Sequence, residues 1–184
     1  MEIKSKLNKP YTNKQRTDFI VQQNHRNGYT IEETDKALIA WGKTDEENLT
    51  IAKTNKYNEI NNGARIYLES GNALFEIEEG KHIEATDGNI AKLSAYALSF
   101  MTGVQSEVYW NTKEDETISL NQEQLTTALM GLGGVQAEVW NVKFPYYLKQ
   151  LENATTVEEV NAITVDYSLP IPEEPTEGEE TAEK

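Results

Sequence analysis

The sequence predicts an α+β protein in which helices alternate with short antiparallel hairpins, and three observations carry that expectation. Thr-x-x-Glu/Gln helix-start signatures recur along the chain, β-branched and aromatic runs flank short polar turns, and one long apolar repeat in steps of three and four lies in the C-terminal half. The organisation expected is a small N-terminal helix–hairpin unit over residues 1–43, an α+β body over 44–165 with a long C-terminal helix, and a disordered acidic tail over 166–184.

The capping signatures are Thr12…Gln15, Thr44…Glu47, Thr155…Glu158 and the overlapping Thr156…Glu159. In each, the Thr oxygen accepts from a backbone N–H while the Glu or Gln reaches back to the cap. The first helix should run to about Arg26 and stop at Asn27-Gly28, residues that tolerate left-handed dihedrals. Tyr29–Glu33 and Ala37–Trp41 then flank Thr34-Asp35-Lys36 as a hairpin. A helix and a hairpin bury very little, so residues 1–43 are expected to be marginal alone.

A longer helix is expected from Asp45 to about Ser70, with Tyr57, Ile60, Ala64, Tyr67 and Leu68 on one face and Gly71 ending it. A second hairpin pairs Leu74–Ile77 with His82–Ala85, and a third pairs Val108–Trp110 with Thr117–Leu120. Between them, Asp87-Gly88 leads into a helix faced by Ile90, Leu93, Ala97, Phe100 and Met101 and closed by Gly103. After Asn121 comes the stripe Leu125, Leu129, Leu132, Val135, Val139, Val142 and Tyr146. Two features disturb it. Gly131, Gly133 and Gly134 each cost the helix ~1 kcal/mol relative to Ala, and Pro145 should kink or break it. Small residues there are expected to let another helix approach. A short helix from Val157 to about Ile163 follows. The stretch from Asp166 onward holds three of the five prolines and almost nothing apolar beyond Ile171, so it is expected to be dispensable for folding.

The order of these elements, with the residues that mark them, resembles a known group of proteins. Pro10-Tyr11-Thr12…Gln15…Asp18-Phe19, then Gly28-Tyr29 and Ala40-Trp41-Gly42, resemble the N-terminal part of small tail-module proteins of phages and prophages of Gram-positive bacteria. From about Ile51 to Ile163 the chain resembles a domain of uncharacterised function found in such proteins and at the C-terminal end of some tail fibres. The matching residues are Ile60–Tyr67, Asp87, Val108-Tyr109-Trp110, Thr117–Leu120, Val135-Gln136-Ala137 and Ala154–Glu159 with Ala162-Ile163. The resemblance implies a tail-associated structural or assembly protein whose partners are phage tail or tail-fibre proteins. It implies synthesis in the bacterial host cytoplasm and leaves incorporation into the virion tail open. It carries no catalytic residues with it.

The chemistry legible in the residues is sparse. There are no cysteines, so a disulfide framework, a thiolate nucleophile and cysteine-ligated zinc are all excluded. His25 and His82 are the two histidines. His82 with Glu84 and Asp87 has the composition of a metal triplet, but carboxylates near one histidine on an acidic surface are ordinary, and no metal or other cofactor is expected. His25, near a helix end, is read as a cap for the last carbonyls. Glu32/Glu33, Glu78/Glu79 and Glu114/Glu116 lie in or beside turns, without the opposed placement that acid–base glycoside hydrolysis requires. The Gly131–Gly134 cluster lacks the Gly-Lys-Ser/Thr ending of a phosphate loop. No catalytic residue is assigned and an enzyme is not expected. A cell-wall glycan hydrolase of a tail module, and a small adaptor unrelated to phage, are the alternatives.

Charge and hydropathy narrow the partners. The net charge is −14, and from Asp166 to Lys184 seven acidic residues stand against one lysine, so that stretch holds −6 of it. An acidic body repels phosphate, which disfavours nucleic acid. No stretch approaches the ~18 apolar residues of a membrane span, and no apolar run follows Met1–Lys6, so neither membrane insertion nor secretion is expected. Binding to another protein remains. Ile39 and Trp41 on the first hairpin are the candidate partner-facing residues, with Trp140, which lies off the main apolar stripe, as a third.

Overall fold

A computed structural model describes residues 1–172 and shows an α+β fold built from three small antiparallel sheets and six α-helices among the described residues. The chain divides into two compact units: residues 1–55 with 154–161, and residues 56–153 with the segment from Ala162 onward. Where the sequence places a boundary at residue 43, this division falls inside the long second helix.

The first unit opens with β1 (Glu2–Asn8), followed by α1 (Asn13–Ile20), β2 (Thr30–Glu33) and β3 (Ala37–Gly42). Its sheet has the order β1-β3-β2, both pairings antiparallel. The β2–β3 hairpin forms where expected, and Thr34 closes it by accepting from Lys36 and Ala37 N–H and donating its hydroxyl to the Ala37 carbonyl. The third strand was not expected. β1 is an edge strand with an irregularity between Ile3 and Ser5: Ser5 and Leu7 lie across from Ala40 and Leu38, Ile3 and Lys6 across from Trp41 and Ile39, and its bulge and lysines deter further pairing. The Thr12 capping box forms with both of its halves. α1 then widens into a π-helical segment, Val21–Arg26, which ends at Asn27 and at Gly28 with φ +72°. None of α1 is buried. The core of this unit is small: Ala37, Leu38, Ala40 and Val160 are fully buried. Val160 lies on α6 (Val157–Ala162), capped by Thr156 and Glu159, which bond reciprocally.

α2 (Asp45–Glu69) begins in the first unit, at the Thr44–Glu47 box, and continues into the second. There β4 (Leu74–Glu78) pairs with β5 (Lys81–Glu84), and β6 (Val108–Asn111) pairs with β7 (Thr117–Leu120). α3 (Asp87–Met101), capped by Thr86, packs on α4 (Gln122–Glu138). The core gathers Ile60, Ala64, Ile83, Leu93, Leu120, Leu125, Ala128, Leu132 and Val139, each exposed by no more than about one per cent.

The proline neither breaks nor ends the long helix. α4 continues through a π-helical segment, Val139–Lys143, into α5 (Phe144–Asn153), which carries Pro145 at its second position. Phe144 N–H bonds the Val139 carbonyl five residues back, and the wider turn lets a pyrrolidine ring clear the preceding carbonyl. The extra residue shifts the phase of everything after it. Val142, expected in the stripe, is 53% exposed, while Lys143, Tyr147 and Leu151 are buried in its place. Gly131 also does something other than expected: a Cβ there would overlap the ring of Phe75, so the glycine admits an aromatic side chain of β4, not a helix.

The sequence also misplaces the start of the tail. Asp166 and Tyr167 are docked against the second unit. Tyr167 is 3% exposed, and its hydroxyl donates 3.0 Å to the Ile60 carbonyl, while Lys143 Nζ donates 2.8 Å to the Tyr167 carbonyl. Tyr147 Oη donates to the Asp166 carbonyl and accepts from Asp166 N–H. One aromatic ring and four hydrogen bonds offset the entropy of ordering this short segment. The rest of the expected tail, from Glu173, lies outside the described residues.

Candidate functional site

The candidate site is a cleft of about 540 Å³ in the first unit, at the end of its sheet where β3 runs out toward α2. Its volume falls in the range of small-ligand and peptide-anchor sites, ~300–1,000 Å³. The walls come from Lys4 of β1, from Asn27, Tyr29 and Thr30 around the start of β2, from Trp41 and Gly42 of β3, and from Asp45 and Asn48 of α2.

Strand alternation explains how Trp41 comes to lie there. Leu38 and Ala40 point into the core, so Ile39 and Trp41 point the other way and are half-buried. On that face Ile39 lies across from Lys6 on one side and Glu32 on the other, and Trp41 lies across from Ile3 and Thr30. The Trp41 indole N–H donates 2.7 Å to Glu32 Oε2, a diagonal cross-strand contact that fixes the ring without any ligand. Gly42 supplies the close approach: a Cβ there would meet the Lys4 stem at 2.7 Å and the Tyr29 ring at 3.0 Å. Tyr29 can therefore lie against the β3 backbone only because residue 42 has no side chain.

A polar hub steadies the β2 end of this surface. Glu33 accepts from Tyr11 Oη at 2.6 Å and from Arg16 Nη2 at 2.9 Å, with Lys9 Nζ 3.5 Å away. The Tyr11 hydroxyl, then the Arg16 guanidinium, bring its carboxyl down to about 2. A comparable device works in the second unit. Glu114 accepts from the His82 backbone N–H at 2.9 Å and lies 2.8 Å from His82 Nδ1, and these contacts lower its carboxyl to about 2. Beside it Lys113 Nζ donates 2.7 Å to Glu84, at the rim of a cleft of about 290 Å³ that Trp110 and Asp115 also line.

The expected residues fall in different places. Ile39 and Trp41 share one sheet face, with Trp41 in the cleft wall. Trp140 belongs to the second unit, half-buried with its ring 5.5 Å from that of Phe144, which in turn meets Tyr57 edge-on at 6.4 Å. His82 and Glu84 sit on β5 as adjacent same-face residues, but His82 is engaged by Glu114 and Asp87 by Gln136. Among the described residues no group of three or more His, Cys, Asp or Glu could hold a metal. Five of the six paired carboxylates have partners: Glu32 with Trp41, Glu33 with Tyr11 and Arg16, Glu114 with His82, and Glu78 and Glu116 with Lys81. The two strongly shifted ones, Glu33 and Glu114, move toward greater acidity, opposite to what a general acid needs at neutral pH.

Most of the cleft is not legible in the sequence. The sequence presents Asn27 as a helix stop, Tyr29 as a strand residue, Gly42 as part of the resemblance and Asn48 as a residue of the helix from Asp45. The available signal was Gly28-Tyr29 together with Trp41-Gly42, two glycine–aromatic pairs whose strands meet in the sheet. Among the described residues no helix is long and apolar enough to cross a membrane. No family model, curated protein or solved structure matches the chain.

Proposed function

We propose that this chain is a non-enzymatic accessory of phage or prophage tail or tail-fibre assembly and acts by protein–protein contact. The contact surface is the outer sheet face bearing Ile39 and Trp41, together with the cleft beside it. The observation that carries this reading is the fixed, half-buried indole of Trp41 at the wall of a cleft, held in place by Glu32 before any partner arrives. A rigid aromatic anchor beside a concavity is the usual centre of a binding hot spot, because little side-chain entropy remains to be lost on docking. The tail setting is supported by the ordered resemblance in sequence across most of the chain.

Affinity capture from an induced phage lysate tests the proposal. Wild-type protein should recover identified tail or tail-fibre proteins, and the Ile39→Asp, Trp41→Ala double variant, shown folded by circular dichroism, should lose them. Equal recovery by the folded variant would overturn the assigned surface. Recovery of no tail protein, with release of soluble fragments from host cell wall, would overturn the function itself.

A further inference from the structure

We propose that Asn27 is a site of spontaneous covalent modification, converting to aspartate and isoaspartate and so placing a carboxylate in the wall of the cleft. The chain contains two Asn-Gly pairs, Asn27-Gly28 and Asn62-Gly63. Glycine after asparagine removes the side chain that otherwise shields the following backbone nitrogen, so both pairs are equally reactive as sequence. The structure separates them.

In the reaction the Gly28 nitrogen attacks Asn27 Cγ and gives up its proton. The Cγ–Nδ2 bond breaks, ammonia leaves, and a five-membered imide remains. Water then adds at either imide carbonyl. One opening gives aspartate, the other gives isoaspartate with the main chain rerouted through Cβ. Water is the sole co-reactant. Ring closure needs the Gly28 nitrogen to rotate about the Asn27 Cα–C bond until it nearly eclipses Cβ, which the present ψ of −10° does not allow, so the local backbone must open first.

At Asn27 that opening disturbs little. The residue is exposed, terminates a π-helical segment with no buried residues, and precedes a glycine at φ +72° whose Cβ position faces empty space. The bonds to be released are Gly28 N–H to the Asn24 carbonyl at 3.0 Å, Tyr29 N–H to the Gln23 carbonyl at 2.9 Å, Asn24 Nδ2 to the Tyr29 carbonyl at 2.8 Å, and Asn27 Nδ2 to Gln23 Oε1 at 3.1 Å. All lie at an exposed helix end, where fraying is cheapest.

At Asn62 the side chain is exposed too, but the backbone opposes the change. The residue lies well inside α2, flanked by the fully buried Ile60 and Ala64. Gly63 sits beneath Tyr167 and Val165, whose atoms would meet a Cβ at 3.2 and 3.4 Å, and Tyr167 also bonds the Ile60 carbonyl. Freeing this peptide means unwinding the centre of α2 and undocking the Tyr167 segment.

The change at Asn27 alters the chemistry of the cleft wall. It adds one negative charge among Lys4, Tyr29, Trp41 and Asp45, and removes the amide that bonds Gln23. The assignment does not depend on what the cleft binds.

Peptide mapping by mass spectrometry of the full chain, held folded at mildly alkaline pH, tests it. Acid forms should accumulate at Asn27 at least about tenfold faster than at Asn62, an opening-cost difference of ~1.4 kcal/mol or more. In concentrated denaturant the two rates should converge, which shows that structure and not sequence sets the ratio. Asn27→Gln should abolish the signal at 27 and leave Asn62 unchanged. Equal rates at the two sites in the folded protein would overturn the proposal, as would an Asn27 that stays unmodified while the denatured chain converts at both.

Discussion

The two units of this protein solve the problem of holding a chain together in different ways. The second buries a continuous set of large aliphatic side chains, from Ile60 and Leu93 to Leu125, Leu132 and Val139. The first has Leu38 and Val160 as its large fully buried residues and otherwise buries alanines. It relies on directed polar contacts at its surface: Thr12 with Gln15, Glu33 with Tyr11 and Arg16, and Glu32 with Trp41. Apolar burial scales with area and is insensitive to pH, whereas exposed ion pairs contribute little each and are screened by salt. The unit with the smaller core also carries the roomier of the two clefts, about 540 Å³ against about 290 Å³, with Trp41 in its wall. Residues withheld from a core are available to a partner.

Substitutions ordered by expected effect can break or sharpen this contrast. Leu132→Ala in the second unit should cost about 2–5 kcal/mol by removing a fully buried side chain. A denaturant titration showing no measurable loss would mean that the core of this unit lies elsewhere. The glycines of α4 give a finer test. At Gly131 an alanine Cβ would overlap Phe75, with a steric cost of about 1–3 kcal/mol. At Gly133 and Gly134 nothing lies within 4 Å, and alanine should stabilise by up to ~1 kcal/mol. Gly131→Ala should therefore lower the thermal midpoint and Gly133→Ala raise it, and Phe75→Leu should relieve the first but not affect the second.

Tyr167→Phe keeps the ring and removes the hydroxyl that serves the Ile60 carbonyl, for an expected loss of about 1 kcal/mol. A stability unchanged by Tyr167→Phe and by Tyr167→Ala alike would show that the 166–168 segment is not docked. The smallest effect belongs to the first unit and is read by pH. Glu33 has a folded-state carboxyl lowered from 4.5 to about 2. Its contribution is therefore present above about pH 4.5, fades as the pH falls through that window, and is lost near pH 2. Glu33→Gln should flatten the acid limb of the stability profile over this range, and high salt should weaken the difference. An acid limb identical to wild type would remove the polar hub from the account of this unit.

Much of the fold was legible residue by residue. The boxes at Thr12, Thr44 and Thr156 each cap a helix, and the three hairpins turn at the polar segments that mark them. β1 was not read, because alternating lysines look like a solvated lead-in until a neighbouring strand pairs with them. Tyr167 was not read either: its acidic and proline-rich surroundings conceal a single aromatic residue that has a place to go. Of the site, Ile39 and Trp41 were visible as apolar residues in excess of a small core. The cleft was not, since Lys4, Tyr29, Trp41 and Asn48 come from four separate stretches of chain.

The division has a physical cause. A cap, a turn or a hairpin is decided among residues three to six apart, so the sequence by itself determined the helix caps and the turns of the three hairpins. Phase over a longer span is different. Periodicity placed Val142 and Tyr146 in the buried stripe, and one π-helical turn ahead of Pro145 passed those positions to Lys143 and Tyr147. Lys143 can be buried because the Tyr167 carbonyl and the Glu138 carboxylate lie within reach of its ammonium group, at 2.8 and 3.1 Å. Such a cation is tolerated in a core only with its partners in place, and the partner 24 residues away was supplied by the tertiary structure alone.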